Sequence, residues 1–436
     1  MKLKDKRIAI LGAGRSGRAA AKLALREGAK VSVWDQAGEE VFTGFPNEVD
    51  IHPRADEAAA NTIDSELLIV SPGIDTYGSY AAAYCQNVKE VIGEVELAAR
   101  LYQGRMIGIT GTNGKTTTTE LASCMLKQAG LGGTACGNYG LPFCEVLLRD
   151  DLPQAVALEL SSFQLETIDS LRPNVAVWLN FAPDHMDRYP TIEAYKRAKL
   201  RIFNNLSDGD VAVIPAGESL PDIPAKTVTF STEDEKADWY SDGEEIRHHN
   251  EVVLHMAEDT ALRGIHNAEN LMAAMAACRA LDIPLAVICQ ALRGYSPPIH
   301  RCELIRTLDG VEYLNDSKAT NVHALISAVR SQTKPVVLIC GGKNKGLDYS
   351  GLLPLLREKT LLVVTFGEIA ATLANAFNGA SPCEQVETLA QALTKARDLA
   401  PRGSVVLLSP GTSSFDQFSG YEQRGDYFRE LVHQLS

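Results

Sequence analysis

The run Thr110-Gly111-Thr112-Asn113-Gly114-Lys115-Thr116-Thr117 has the residue types that bind phosphate. Small residues let backbone N–H groups close around phosphate oxygens. A lysine adds positive charge, and the hydroxyl after it can ligate Mg²⁺. The run follows an apolar stretch, Met106 to Ile109, and opens a helix-like stretch, Thr118 to Ala129, so it sits at a strand-to-helix junction. The common Walker pattern puts a glycine where Ile109 stands, whereas glycines here occupy positions 108 and 111. The motif is therefore a variant. A small-residue turn without a ligand is the bland alternative, but Gly-Lys-Thr at a helix start combines three phosphate-binding features.

A second glycine loop, Gly12-Ala13-Gly14-Arg15-Ser16-Gly17, also follows a strand and opens a helix, and Asp35 ends the next strand. That context fits a dinucleotide fingerprint and, taken alone, an NAD(P)-dependent dehydrogenase. The same glycines select any pyrophosphate at a helix N-terminus, and the acid selects any diol-bearing or NH-bearing nucleoside. A UDP-sugar satisfies the same physics, and a glycine turn for close helix–strand packing remains a third reading.

Two later strands, Ala155 to Leu160 and Val175 to Leu179, are short apolar runs followed at once by polar residues. Ligands of open parallel sheets bind beyond the C-terminal strand ends. Glu159, Ser161, Ser162, Asn180, Asp184 and His185 fall there. Glu159 and His185 are candidate ligands for Mg²⁺ or Mn²⁺. Taken singly, Glu159 could cap a helix and His185 could be an ordinary loop histidine. Lys199, within Tyr195-Lys196-Arg197-Ala198-Lys199, reads as part of a solvated basic helix face.

Strand-like and helix-like runs alternate almost throughout, which argues for α/β layers with mostly parallel sheets. Arg7 to Leu11, Val31 to Asp35 and Leu67 to Val70 make a first nucleotide-binding-like unit, with a helix from Gly17 to Arg26 between the first two strands. The phosphate loop opens a second unit. Its acidic stretch, 231 to 251, reads as solvated loops or edge strands, and His266 to Leu281 reads as a helix. Pro297-Pro298 reads as a stiff linker. A third unit contains Val336 to Ile339, Leu361 to Phe366 and Val405 to Leu408. Domains are expected at 1–95, 96–298 and 299–436. The 436 residues suit two or three domains, and a net charge of −13 disfavours a nucleic-acid partner. Nine cysteines without a Cys-x-x-Cys pair indicate neither a zinc ribbon nor a disulfide framework. No signal peptide or membrane span is read, and a cytoplasmic monomer is expected.

Several motifs together resemble the Mur ligases along essentially the whole chain. They are Thr-Gly-Thr-Asn-Gly-Lys-Thr at 110–116, Asn180 with Asp184-His185, His266-Asn267-Ala268-Glu269-Asn270, and His300-Arg301-Cys302-Glu303. The D-glutamate-adding branch is resembled by Leu158-Glu159-Leu160-Ser161-Ser162-Phe163-Gln164-Leu165 and by His185-Met186-Asp187-Arg188-Tyr189. It is resembled also by Asn315-Asp316-Ser317-Lys318-Ala319-Thr320-Asn321, by Ser413-Ser414-Phe415-Asp416-Gln417-Phe418, and by Glu422-Gln423-Arg424-Gly425.

The resemblance implies a Rossmann-like UDP-binding domain, a central P-loop ATP-binding domain and a C-terminal Rossmann-like domain for the amino acid. It implies ATP-driven joining of D-glutamate to UDP-N-acetylmuramoyl-L-alanine through an acyl phosphate, in peptidoglycan precursor synthesis. Gly14, Ser16, Asp35, Gly73, Asn138 and His185 would then meet the UDP substrate. Gly111, Thr112, Asn113, Gly114, Lys115, Thr116, Thr117, Asn267, Asn270, Arg301 and Asp316 would surround ATP. Lys318, Thr320, Lys345, Ser414 and Phe415 would hold D-glutamate. Lys115, Glu159, His185 and Lys199 would be catalytic, with Mg²⁺ on Thr116, Glu159, His185 and a carbamylated Lys199. Another Mur-type or folylpolyglutamate-type ligase is the nearest alternative.

Overall fold

In a computed structural model, residues 2–186, 188–262, 264–295 and 299–435 are described. Asp187 and the Pro297-Pro298 linker lie outside them. The chain divides into two compact units, Met1–Thr260 with Asn267–Tyr295, and Ala261–His266 with Ser296–Ser436.

The first unit holds two sheets. In the first sheet the strands run in the order Asp50–His52, Lys30–Trp34, Arg7–Leu11, Leu67–Val70, Glu90–Gly93, all parallel. After the exposed Arg7, residues 8–11 form an unbroken apolar run, and so does Leu67–Val70, as strands covered on both faces must. The helix Arg15–Arg26 buries Ala19, Ala20, Ala21, Leu23 and Ala24, so it packs close to the sheet. It ends at Gly28, whose φ of +84° allows the left-handed turn back to the next strand.

The second sheet has nine strands, in the order Glu251–His255, Glu245–His248, Trp239–Ser241, Lys226–Ser231, Val211–Pro215, Val175–Trp178, Arg105–Thr110, Ala155–Glu159, Gly132–Gly137. It is parallel from Gly132–Gly137 to Trp239–Ser241 and antiparallel beyond. The acidic stretch thus forms part of an antiparallel edge. Arg105–Thr110 lies between Val175–Trp178 and Ala155–Glu159, so its C-terminal end is a point where the strand order switches sides, which is where parallel sheets open a crevice.

The second unit has six strands, in the order Glu303–Leu308, Val311–Asn315, Val405–Leu408, Val336–Gly341, Thr360–Phe366, Cys383–Gln385. Only the first pair is antiparallel. All three sheets are parallel-dominated, as the alternating pattern predicts. No helix among the described residues is long and apolar enough to cross a membrane.

Candidate active site

The phosphate loop leaves the end of Arg105–Thr110 and enters the helix Lys115–Gln128. Gly111 and Gly114 take φ values of +153° and +82°, which only glycine adopts without strain. A Cβ on Gly111 would lie 2.9 Å from Leu179 Cβ, and one on Gly114 would lie 2.2 Å from Asn270 Oδ1. The loop is pinned by the neighbouring strand end. Asn113 N–H donates to Asn180 Oδ1 (2.9 Å), Asn180 Nδ2 donates to Asn113 O (3.2 Å), and Thr112 N–H donates to Asn180 O (3.0 Å). The Lys115 ammonium folds over this loop and donates to the carbonyls of Gly111 and Thr112. Asn270 sits at the helix start, accepting from Thr118 Oγ1 and donating to Asn267 Oδ1.

Glu159, at the end of the adjacent strand, is 2 % exposed. Its Oε1 accepts from Asn138 Nδ2 at 2.6 Å, while its Oε2 is buried with no hydrogen-bond partner among the described residues. A buried carboxylate oxygen left without a donor is what a hard cation would satisfy, so this residue fits Mg²⁺. Asn138 therefore holds the carboxylate, a role the sequence reading did not give it. Among the described residues no three His, Cys, Asp or Glu side chains converge as a ready cage. Mg²⁺ is commonly bound by one or two carboxylates plus phosphate oxygens, which needs no such cage.

Lys199 is not on a solvated face. It is 1 % exposed, and its Nζ donates to Gly111 O at 2.7 Å and lies 4.9 Å over the Tyr195 ring. Burial, reinforced by the Lys115 ammonium, holds its pKa well below the ordinary lysine value, against the pull of Asp184 and Glu159. The helix Ile192–Leu200 puts Tyr195 and Lys199 one turn apart on its buried side. Tyr195 OH also reaches Thr112 Oγ1 (3.4 Å). The i, i+4 spacing was the available signal for both residues, and the neighbouring Lys196, Arg197 and Arg201 masked it. His185 has a φ of +56°, and its ring packs edge-on to Phe163 and Tyr195.

In the first sheet, Gly14 and Gly73 have open space where a side chain would be. Gly17 is compulsory for packing, because a Cβ there would lie 1.9 Å from Gly12 O. Asp35 accepts from Ala13 N–H (2.7 Å) and from Ala37 N–H (2.9 Å), so it braces the glycine loop. Ser16 lies in the first turn of the helix that follows.

In the second unit, all the remaining site residues except Arg301 follow three adjacent strands. Asp316, Lys318 and Thr320 follow Val311–Asn315, Ser414 and Phe415 follow Val405–Leu408, and Lys345 follows Val336–Gly341. Asp316 accepts from Ser409 Oγ (2.8 Å) and Cys302 N–H (3.3 Å), and burial pushes its carboxyl up to about 7. The Lys318 Nζ lies 3.6 Å over the Tyr421 ring, Ser414 is buried and Phe415 is exposed. Arg301 lies on the segment before the first strand, close enough to Asp316 to favour its charged form. Arg424, fully buried, donates to Ser317 Oγ, Ser317 O and Thr412 O, tying two of these loops together. Sequence reading found the Arg424 motif but not this task.

The chain matches two family models, the Mur ligase middle domain over residues 109–278 and the Mur ligase, glutamate ligase domain over residues 300–411. It is 37% identical over 450 residues to the UDP-N-acetylmuramoylalanine--D-glutamate ligase of Salinibacter ruber, covering 98% of each chain. The enzyme of the same name from Myxococcus xanthus is 38% identical over 461 residues, covering 99% of each. Among solved structures, the MurF ligase of Thermotoga maritima in complex with ADP superposes with a TM-score of 0.62 at 16% identity, over 99% of this chain and 96% of that one. UDP-N-acetylmuramate-alanine ligase MurC from Thermotoga maritima gives 0.60 at 18% identity, over 98% and 99%.

Proposed function

The chain belongs to the Mur ligase family, and from that premise we infer that it is an ATP-dependent ligase joining D-glutamate to UDP-N-acetylmuramoyl-L-alanine in peptidoglycan precursor synthesis. The observation that carries the chemistry is local. A glycine-lysine phosphate loop and a buried carboxylate with one oxygen unsatisfied among the described residues sit at adjacent parallel strand ends, and a buried lysine of depressed pKa reaches the loop from a helix.

Phosphoryl transfer needs positioning and charge neutralisation more than covalent help. Lys115 and the backbone of residues 111–116 hold the ATP phosphates, with Asn267 and Asn270 at the helix start. Thr116, Glu159, His185 and a carbamylated Lys199 are the groups suited to hold Mg²⁺. When bound, Mg²⁺ lowers the repulsion between the γ-phosphate and the carboxylate that attacks it. The carbamate reading draws support from burial. A neutral amine is the form that adds to CO₂, forming an N–C bond and releasing a proton, and burial shifts Lys199 toward that form. Gly14, Ser16, Asp35, Gly73, Asn138 and His185 serve the UDP-muramoyl substrate. Arg301 and Asp316 serve ATP. Lys318, Thr320, Lys345, Ser414 and Phe415 serve D-glutamate, whose two carboxylates call for cationic and hydroxyl donors. Functional domains at 1–95, 96–298 and 299–436, a monomer, and a cytoplasmic site of action complete the proposal.

The test is ADP release with ATP, UDP-N-acetylmuramoyl-L-alanine and a panel of amino acids. Turnover with D-glutamate is expected. Turnover with L-alanine, L-lysine or meso-diaminopimelate but none with D-glutamate would redirect the assignment to another amide ligase. Tight NAD(H) binding without ADP release would overturn it.

A further inference from the structure

One buried ion pair in the first unit has no part in the chemistry above. Glu166 and Arg188 are 7% and 10% exposed at their side chains, and Arg188 Nη2 donates to Glu166 Oε2 at 3.0 Å. The guanidinium reaches further. Its Nη1 donates to Pro72 O (2.9 Å), its Nη2 also donates to Ile74 O (2.9 Å), and its Nε faces Asp75 Oδ1 at 3.8 Å. Glu166 accepts from the hydroxyls of Thr76 and Tyr189 as well. Every one of these partners belongs either to the loop after Leu67–Val70 or to the turn that carries His185. The N–H groups of Arg188 and Tyr189 both donate to His185 O (3.0 Å each). Phe163 has the Arg188 guanidinium 4.0 Å over its ring and the His185 ring at its edge.

At its other end the loop is tied to the glycine loop, since Ser71 Oγ donates to Gly12 O at 3.0 Å. Glu166 closes the short helix Ser162–Leu165, which follows the strand bearing Glu159 and is fixed by a capping box between Ser161 and Gln164. Hydrogen bonds therefore link the glycine loop, the Gly73 loop, the His185 turn and the short helix that follows the Glu159 strand.

We propose that Glu166 and Arg188 are positioning residues that lock the Pro72–Thr76 loop onto the His185 turn, so that the UDP-linked substrate presents its carboxylate at the phosphate site. The proposal rests on the ligase reading. The planar fork is essential, because one guanidinium satisfies two carbonyls and a carboxylate at once, and an ammonium lacks that geometry. An exposed pair would contribute little, but here removal of either partner strands a buried charge.

The experiment compares Arg188→Lys, Glu166→Gln and the milder Tyr189→Phe with the wild-type chain. For the first two variants, KM for UDP-N-acetylmuramoyl-L-alanine is expected to rise at least tenfold while KM for ATP stays within twofold. Tyr189→Phe is expected to shift the same constant two- to fivefold. Amide hydrogen exchange at Ile74 and Gly78, whose N–H groups donate within the loop, is expected to quicken at least tenfold in Arg188→Lys. Unchanged constants and exchange would overturn the proposal. So would parallel rises in both KM values with exchange quickened across the whole unit, the signature of a merely structural pair. The exchange measurement needs no turnover. A wild-type chain that releases no ADP removes the ligase reading, while loop exchange still decides whether the latch exists.

Discussion

Gly114→Ala isolates what the phosphate loop requires of its glycine. Two costs are separable. An alanine at φ +82° incurs the left-handed penalty, about 1–2 kcal/mol. Its Cβ would also stand 2.2 Å from Asn270 Oδ1, the end of a side chain that can swing away only by giving up the Thr118 hydroxyl, a bond worth about 1 kcal/mol. Together they amount to about 2–3 kcal/mol, or a fall in Tm of about 4–8 °C. Gly130→Ala is the control, because φ there is +74° and nothing lies within 4 Å of the added carbon, so it reports strain alone. The displaced Asn270 is also a proposed ATP contact, so kcat/KM for ATP should fall roughly 10–100-fold in Gly114→Ala, a loss of about the same energy. Calorimetry of both variants and ADP-release kinetics at varied ATP measure these effects. Equal Tm shifts for the two variants, or an ATP dependence within twofold of wild type for Gly114→Ala, would refute the reasoning.

Glu94 is fully buried, with Oε1 accepting from Cys144 N–H at 2.5 Å and Oε2 without a hydrogen-bond partner among the described residues, and burial raises its carboxyl from 4.5 to about 7. Between those values the native chain keeps a proton that the unfolded chain has released, so this group withdraws stability as pH rises from 4.5 to 7. The full effect is about 3 kcal/mol. In urea titrations at pH 5 and pH 8, Glu94→Gln should lose much less stability than wild type, and parallel losses would contradict the assignment. Asn138→Ala removes the Nδ2 donor to Glu159 Oε1, so the Mg²⁺ concentration giving half-maximal ADP release should rise about tenfold, a change of about 1.4 kcal/mol. An unaltered Mg²⁺ titration would detach Asn138 from the carboxylate's role. Lys199→Ala should be inactive and regain part of its turnover with small carboxylic acids, which replace the lost carbamate, whereas full activity without them would take Lys199 out of the site.

The sequence made the strand-end residues legible because a parallel sheet converts order along the chain into position. Asn180 and Glu159 follow apolar runs, and both end up beside the phosphate loop. Buried strands such as Leu67–Val70 and Val405–Leu408 were read at their observed bounds, because continuous apolar runs have few other uses. Gly132–Gly137 was not visible, since its three glycines have low strand propensity and only the ladder with Ala155–Glu159 makes it a strand. Lys199 and Tyr195 were hidden by the basic residues around them. Arg424 and Arg188 were seen as motif letters whose work, holding carbonyls of distant loops, is a tertiary fact that no local pattern encodes.

Asp35 shows why the tidier of the two glycine loops misleads about the ligand. An acid at the end of the second strand is usually read as a ribose contact. Here each of its oxygens accepts one backbone N–H, from Ala13 within the glycine loop and from Ala37 beyond the strand. Its primary work is to fix the loop's shape, and Gly12 and Gly17 complete that shape by letting Ser71 and the helix approach. Each carboxylate oxygen has a further lone pair, which is enough to recognise an N–H or a hydroxyl but not to choose between nucleosides. A brace of this kind serves a dinucleotide and a UDP-sugar equally, so the fingerprint specifies a pyrophosphate turn and no more. Discrimination has to come from elements outside the motif. The Gly73 loop, held by Arg188 and Glu166 against the His185 turn, joins this sheet to the phosphate chemistry.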